Sequence, residues 1–105
     1  MRMWMVDPKK LCRKHLLGEH VECHMFVGTI LKRISLLGYK EKGLVEVHNL
    51  KDRHKKLSEE MLSRGYNHNS PLPEFKLFNY GNINPVENLK ILRERCEECK
   101  RRQDE

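Results

Sequence analysis

Four residues near the start of the chain have the spacing of one face of a helix. His15, Glu19, Glu22 and Phe26 follow one another at intervals of four, three and four residues, which places their side chains next to one another on a helix. A histidine and two carboxylates grouped in this way can act as general acids and bases. A solvated polar face is the ordinary explanation of the same pattern, and spacing alone favours that explanation.

Basic residues surround these carboxylates in the sequence. The chain carries 21 Lys and Arg against 15 Asp and Glu, which gives a formal net charge of +6. Such an excess of positive charge favours a nucleic acid as the partner. Carboxylates weaken a nucleic-acid site, so their presence in a basic region calls for a reason. The basic residues close to them are Arg2, Lys9, Lys10, Arg13 and Lys14.

The sequence lacks the motifs of several common enzyme classes: a glycine-rich phosphate loop, G-x-S-x-G and H-E-x-x-H are all absent. One nucleophile that no motif reveals is the N-terminal α-amine, which is partly unprotonated at neutral pH. An amine that attacks the C1′ carbon of a sugar forms a Schiff base and needs a carboxylate nearby to handle protons. Because Arg2 is bulky, we expect the initiator methionine to be retained, so that Met1 carries this amine.

Four cysteines and six histidines raise the question of a metal site. Cys96 and Cys99 have the C-x2-C spacing of zinc and redox motifs, and Cys12 and His15 could complete a zinc site. We favour the alternative that both are buried thiols, because they fall where the apolar stripe of the third helix needs small apolar residues. No βαβ pattern supports a redox pair. We therefore expect no metal and no other cofactor.

The remaining histidines fit ordinary structural positions. His20 and His54 lie on apolar helix stripes, where a partly buried, hydrogen-bonded imidazole is common. His24 lies off the first stripe, and we expect His48 and His68 to be exposed.

Three amphipathic helices are expected to position these residues, in an all-α fold with long polar loops. Asp7 and Pro8 predict the start of the first helix, which extends to about Leu37 with a possible break at Gly18. Its apolar stripe is Leu16, His20, Cys23, Val27, Ile30, Leu31 and Ile34.

The second helix is predicted over about 44–64, with Gly65 as its C-terminal stop. Asn84 and Glu87 form the cap of a third helix. The stripes of these two helices are Val47, Leu50, His54, Leu57 and Met61 in the second, and Leu89, Leu92, Cys96 and Cys99 in the third.

The size of the chain limits it to one modest core. It has 105 residues, of which 38% are hydrophobic, and no apolar run approaches the length of a membrane span. We expect a single domain over 1–105 whose polar end, 100–105, frays. The start of the chain does not have the pattern of a secretion signal, and we expect reduced cysteines in a cytoplasmic, nucleoid-associated or intracellular viral protein.

Several segments resemble the pyrimidine-dimer DNA glycosylase family, whose best-known member is a phage enzyme. The similarity is ungapped from Met1 to about Gly28, and a shorter match at Pro73-Glu74-Phe75 precedes a proline-started helix. The other segments that carry it are Met1-Arg2, His15-Leu16-Leu17-Gly18-Glu19-His20-Val21-Glu22, Phe26-Val27-Gly28 and Arg64-Gly65-Tyr66-Asn67.

The resemblance implies an all-α enzyme that excises a damaged pyrimidine with its N-terminal amine and then cuts the strand by β-elimination. By position, Met1 would supply the amine and Glu22 the essential carboxylate. Arg2 would contact a phosphate near the lesion, and His15 would lie beside the site. This chemistry requires no metal, so activity should survive EDTA.

The expected partner is damaged double-stranded DNA, bound by a monomer, with the cyclobutane pyrimidine dimer as the default lesion. Val21 and Met25 stand where the phage enzyme has arginines, which leaves room for another damaged pyrimidine or a bare abasic site. Further DNA contacts are expected from Lys9, Arg13, Lys14, Arg64, Tyr66, Asn67, His68 and Arg95.

Two other functions remain compatible with the residues. A small basic helical module could bind nucleic acid without chemistry, and acetylation of its N-terminus would then have no effect. A zinc-stapled interaction domain could use Cys12, His15, Cys96 and Cys99, which metal analysis would reveal.

Overall fold

The computed structural model describes residues 1–68 and 70–105, and it confirms the all-α prediction. These residues form one globule with five helices and two short 3₁₀ turns, and they contain no strand. The helices are α1 (Arg13–Leu31), α2 (Leu37–Glu41), α3 (Leu50–Ser63), α4 (Pro85–Arg95) and α5 (Glu97–Asp104), and the 3₁₀ turns are Pro8–Lys10 and Val47–Asn49. None of the helices is long and apolar enough to span a membrane.

The first predicted helix is divided in the structure. Asp7 caps only the 3₁₀ turn, where its Oδ1 accepts a hydrogen bond from the Lys9 N–H at 3.0 Å. The chain is then extended at Leu11 and Cys12, and α1 begins at Arg13. Gly18 does not interrupt α1, so the possible break there is wrong.

The α1–α3 interface forms the centre of the core and confirms most of the predicted stripes. Leu16, Cys23 and Val27 of α1 are buried, as are Leu50 and Leu57 of α3. Helix α1 ends at Leu31 and not at about Leu37 as predicted. The last two members of its predicted stripe, Leu31 and Ile34, are exposed.

The second predicted helix begins later than residue 44. Residues 44–46 are not helical, and α3 begins at Leu50 after the 3₁₀ turn. In this stretch the backbone of Val45 comes so close to Gly81 (φ +95°) that a Cβ there would lie 1.9 Å from the Val45 carbonyl oxygen. Only glycine fits at that position. Gly65, at φ +83°, follows α3 as predicted.

The third predicted helix is two helices that meet at Cys96. The Asn84 cap is confirmed, since its Oδ1 accepts a hydrogen bond from the Glu87 N–H at 3.1 Å. Cys96 has extended backbone angles, so it ends α4 and caps α5. The polar end that was expected to fray is helical as far as Asp104.

Candidate active site

The first six residues of the chain are packed into the protein. Met3 and Val6 are buried, and the Met3 N–H donates a hydrogen bond to the Leu44 carbonyl at 2.8 Å. The Val6 carbonyl accepts a hydrogen bond from Arg53 Nη1 at 2.6 Å. Hydrogen bonds to Leu44 and to Arg53 therefore fix the position of the N-terminal segment.

This arrangement brings the N-terminal amine next to a carboxylate of α1. The Met1 nitrogen lies 3.9 Å from Glu22 Oε1, and the two side chains are 13% and 28% exposed. Partial burial raises the pKa of Glu22, although the facing amine and Arg2 oppose the rise. A carboxylate so placed can exchange protons with the amine and with a group bound beside it.

A surface pocket of about 550 Å³ opens beside this pair. Its walls come from the first residues of the chain and from the first half of α1. The lining residues are Arg2, Trp4, Lys14, His15, Leu17, Gly18, Glu19, Val21 and Glu22. The pocket therefore combines basic side chains and carboxylates with apolar surface.

Arg2 is held in place by two side chains that the sequence did not reveal. Its guanidinium stacks over the Trp4 ring at 3.7 Å, and its Nη2 donates a hydrogen bond to Asn88 Oδ1 at 2.8 Å. Asn88 also donates to the Trp4 carbonyl at 2.9 Å. The sequence offered no signal for Asn88, because a lone asparagine in a polar helix has no distinctive spacing.

Glu19, the other carboxylate of the predicted face, has a different environment. It is 1% exposed and accepts hydrogen bonds from Arg53 Nε at 2.6 Å and Nη2 at 2.8 Å. The solvated-face interpretation is therefore wrong for Glu19. Phe26 is also buried.

The predicted basic residues are distributed unevenly around the pocket. Lys14 lines it. Burial lowers the pKa of Arg2, and the charge of the nearby Arg95 lowers it further. Lys9 and Arg13 are exposed.

The residues that follow α3 are engaged with the rest of the protein. The Arg64 guanidinium donates hydrogen bonds to the carbonyls of Pro8 and Leu11 at 3.2 and 2.8 Å, and to Glu60 at 2.7 Å. The Arg13 guanidinium carbon lies over the Tyr66 ring, 5.3 Å from its centre. Asn67 is exposed.

His15 forms part of both the pocket wall and a thiol cluster. Its Nδ1 lies 3.2 Å from Cys12 Sγ and 3.4 Å from Cys99 Sγ, and its ring meets the Trp4 ring edge to face. Burial, with Lys14 and Arg2 nearby, lowers its pKa. The potential ligand atoms of Cys12, His15, Cys96 and Cys99 all lie within 4.8 Å of one another.

A histidine cluster joins α1, α3 and the loop that follows. The Nε2 atom of His20 lies 3.1 Å from that of His54 and 2.7 Å from that of His68, and His24 reaches His54 at 3.1 Å. Burial and the neighbouring imidazoles lower the pKa of His20 to about 4. The prediction of partly buried, hydrogen-bonded His20 and His54 is confirmed, but His48 and His68 are both half-buried rather than exposed. The ligand atoms of His20, His54 and His68 are also close enough to hold a metal ion.

Comparison with known families gives one finding. The model of a family described as pyrimidine dimer DNA glycosylase matches residues 1–74. The matched segment includes the start of the chain, the pocket residues of α1 and all of α3. Searches of curated proteins and of solved structures gave no significant match.

Proposed function

The chain belongs to the pyrimidine dimer DNA glycosylase family, and from this premise we propose that it excises a damaged pyrimidine through an imine on its own N-terminal amine and then cleaves the strand. The membership supports a DNA glycosylase that acts on pyrimidine dimers. The imine, the lyase step and the assignment of residues are our proposal. The observation that carries it is the 3.9 Å approach of the Met1 nitrogen to Glu22 Oε1.

In the first step, the lone pair of the unprotonated Met1 amine attacks C1′ of the damaged nucleotide. The glycosidic bond breaks, and its electron pair leaves with the base, which then takes up a proton. Glu22 stabilises the positive charge that develops at C1′ and the attacking nitrogen, and it accepts a proton from that nitrogen. A base that is already poorly paired costs the least to expose for this attack.

In the second step, the nitrogen lone pair forms the iminium as the C1′–O4′ bond breaks, and Glu22 returns its proton to O4′. The iminium makes the C2′ hydrogens acidic, and Glu22 accepts one of them. The electron pair of the C2′–H bond forms the C2′–C3′ double bond as the C3′–O bond is cleaved, with its electron pair leaving on the phosphate. Water then hydrolyses the imine, which releases the sugar fragment and restores the amine. Water protonates the released base, whereas the proton transfers at the nitrogen, O4′ and C2′ all use Glu22, which therefore has to remain close to the amine throughout.

The residues that line or flank the pocket supply the grip on DNA in this proposal. Arg2 and Lys14 point to phosphates near the lesion, with Arg95, Lys9 and Arg13 extending the basic surface. His15 contacts the same strand from the pocket wall. Tyr66, Asn67 and His68 contact the DNA farther from the pocket. Arg64 would have to give up its hydrogen bonds to the carbonyls of Pro8 and Leu11 in order to contact the DNA. We further propose that residues 1–105 act as one glycosylase domain, as a monomer on double-stranded DNA.

Borohydride trapping tests the proposal directly. Untagged protein is mixed with a duplex that carries a single abasic site and is then reduced, so that any imine becomes a stable covalent adduct. We expect an adduct with the free amine and none after selective acetylation of the N-terminus. Peptide mapping should place the modification on Met1.

The rival function is a basic nucleic-acid-binding module without chemistry. It predicts that the protein binds the duplex, that acetylation of the N-terminus does not change this binding and that no adduct forms.

Excision should next be measured on duplexes that carry one cyclobutane dimer, since an adduct at an abasic site identifies the reacting amine and not the lesion. No release of the dimer by a protein that forms the adduct would contradict the assigned lesion.

A further inference from the structure

Three cysteines and one histidine from the two ends of the chain converge on a single point. Cys12 and His15 lie at the start of α1, whereas Cys96 and Cys99 lie at the junction of α4 and α5. The Sγ atoms of Cys12 and Cys96 are 3.8 Å apart. His15 Nδ1 lies 3.2 Å from Cys12 Sγ and 3.4 Å from Cys99 Sγ.

These distances are those of a tetrahedral metal site. With metal–sulfur bonds of about 2.3 Å and a metal–nitrogen bond of about 2.05 Å, tetrahedral bond angles give S–S edges of about 3.8 Å and S–N edges of about 3.6 Å. The Sγ–Sγ separation of 3.8 Å equals the S–S edge and is far longer than a disulfide bond. The two S–N separations, 3.2 and 3.4 Å, are slightly shorter than the S–N edge, and the remaining pairs of ligand atoms lie within 4.8 Å of one another.

The surrounding backbone is arranged for thiolates. The Cys12 N–H donates a hydrogen bond to Cys99 Sγ at 3.3 Å, and the Cys99 N–H donates to Cys96 Sγ at 3.5 Å. Hydrogen bonds from backbone N–H groups stabilise negative charge on sulfur and orient metal ligands. Two of the three sulfurs therefore receive such support.

Helix α5 also needs an anchor that apolar packing does not give. It has eight residues, of which Cys99 is the one that is buried. A helix so short and so highly charged is marginal by itself. Its other contacts are exposed or partly exposed hydrogen bonds and ion pairs, such as that of Arg102 with the Lys9 carbonyl, which contribute little to stability.

We propose that Cys12, His15, Cys96 and Cys99 form a structural zinc site. Thiolates and an imidazole in a tetrahedral set favour Zn²⁺, and four protein ligands leave no open position for a substrate. On binding, the three thiols release their protons to solvent, and neutral His15 coordinates through Nδ1. The ion would fasten the segment beyond residue 74 to the family-matched part of the chain and hold His15 in the pocket wall. It takes no part in the imine chemistry.

Native mass spectrometry and cobalt substitution of the full chain test this site. Protein purified under reducing conditions in zinc-containing buffer should carry a zinc ion, and cobalt-loaded protein should show the ultraviolet charge-transfer band of thiolate-bound cobalt. Cys96→Ser, at a half-buried position, and Cys99→Ala should each lose that ion and the band. Cys23→Ala, which removes a buried thiol outside the cluster, and His54→Gln, in the histidine cluster, should keep both.

Two outcomes for the wild-type protein overturn the proposal. Folded wild-type protein without zinc, and without a thiolate band after cobalt addition, shows that the thiols are only packed. Bound metal without the band places the ion on the histidine cluster instead. If both cysteine variants fail to fold, the cobalt spectrum of the wild type alone decides. Borohydride trapping does not depend on the ion, so failure of the zinc site leaves the proposed function standing.

Discussion

Helix α1 carries two glutamates, three residues apart, into two different environments. At the α1–α3 interface, Glu19 is 1% exposed and accepts two hydrogen bonds from Arg53. At the pocket, Glu22 is 28% exposed and faces the Met1 amine at 3.9 Å. The first carboxylate is paired with a guanidinium inside the protein, whereas the second is partly open to the solvent.

The difference between the two regions comes from what packs against each residue. Helix α3 places a guanidinium directly on Glu19, where a buried carboxylate has to be paired and hydrogen-bonded. The N-terminal segment approaches Glu22 with the Met1 amine and with Arg2, and this carboxylate remains 28% exposed. We therefore assign the proposed proton transfers to Glu22, whose pairing is incomplete, and a structural role to Glu19, whose pairing is complete.

The largest expected effect is on catalysis at Glu22. Glu22→Gln should lower single-turnover excision about 10²- to 10⁴-fold, because an amide cannot accept the proton from the amine. The free energy of unfolding in urea should change by less than about 1 kcal/mol, since the side chain is partly exposed. Excision at the wild-type rate would contradict the assignment, whereas residual cleavage of abasic sites would not, because amines alone open them.

The next effect falls on stability at Glu19. Glu19→Gln should lower the free energy of unfolding by about 3–5 kcal/mol, because it leaves Arg53 as a buried charge without a counter-ion. Urea denaturation measures the loss. Asp52→Asn is the matched control, since it breaks a carboxylate pair with Lys56 in which both side chains are 60% exposed, and it should cost less than about 1 kcal/mol. Equal effects of the two variants would remove the distinction between the two regions.

The sequence predicted the residues at the pocket better than those at the α1–α3 interface. Periodic apolar residues predict α1 and α3 because the same side chains that define each stripe also form the core. The resemblance to a family brought Met1 and Glu22 together. Arg53 could not be identified, because it lies in the run Lys51-Asp52-Arg53 and looks like part of a solvated face. Only the packing of α3 on α1 reveals that it is buried.

The thiol cluster shows a second limit of sequence reasoning. The spacing of Cys96 and Cys99, and that of Cys12 and His15, suggested a zinc site, but a continuous third helix would have placed both thiols in an apolar stripe. The chain instead changes direction at Cys96. That change, together with contacts between distant parts of the chain, brings the two pairs together.

A smaller effect is expected on DNA binding at Arg2. Arg2→Gln should weaken binding about tenfold at low salt and reduce the slope of log affinity against log salt by about one, as expected for a lost phosphate contact. Glutamine is also large, so Met1 is retained. Arg101→Gln removes the same charge from an exposed position of α5 and is the control. Fluorescence anisotropy over a series of salt concentrations measures both, and equal slopes would exclude Arg2 from the interface.

The smallest effect is a shift in the pH dependence of excision. Partial burial raises the pKa of Glu22 above its ordinary value of 4.5, despite the opposing amine. Protonation of the attacking amine lowers the rate as the pH falls. Protonation of Glu22 should add a further fall of up to tenfold per pH unit, with a midpoint above 4.5, because protonated Glu22 cannot accept a proton. A raised pKa in the folded state means that protonation of Glu22 favours folding, so this group cannot cause the loss of rate by unfolding the protein. An acid limb with its midpoint at or below 4.5, measured where urea denaturation shows intact protein, would show that Glu22 does not control the rate. The two carboxylates of α1 would then differ in burial alone.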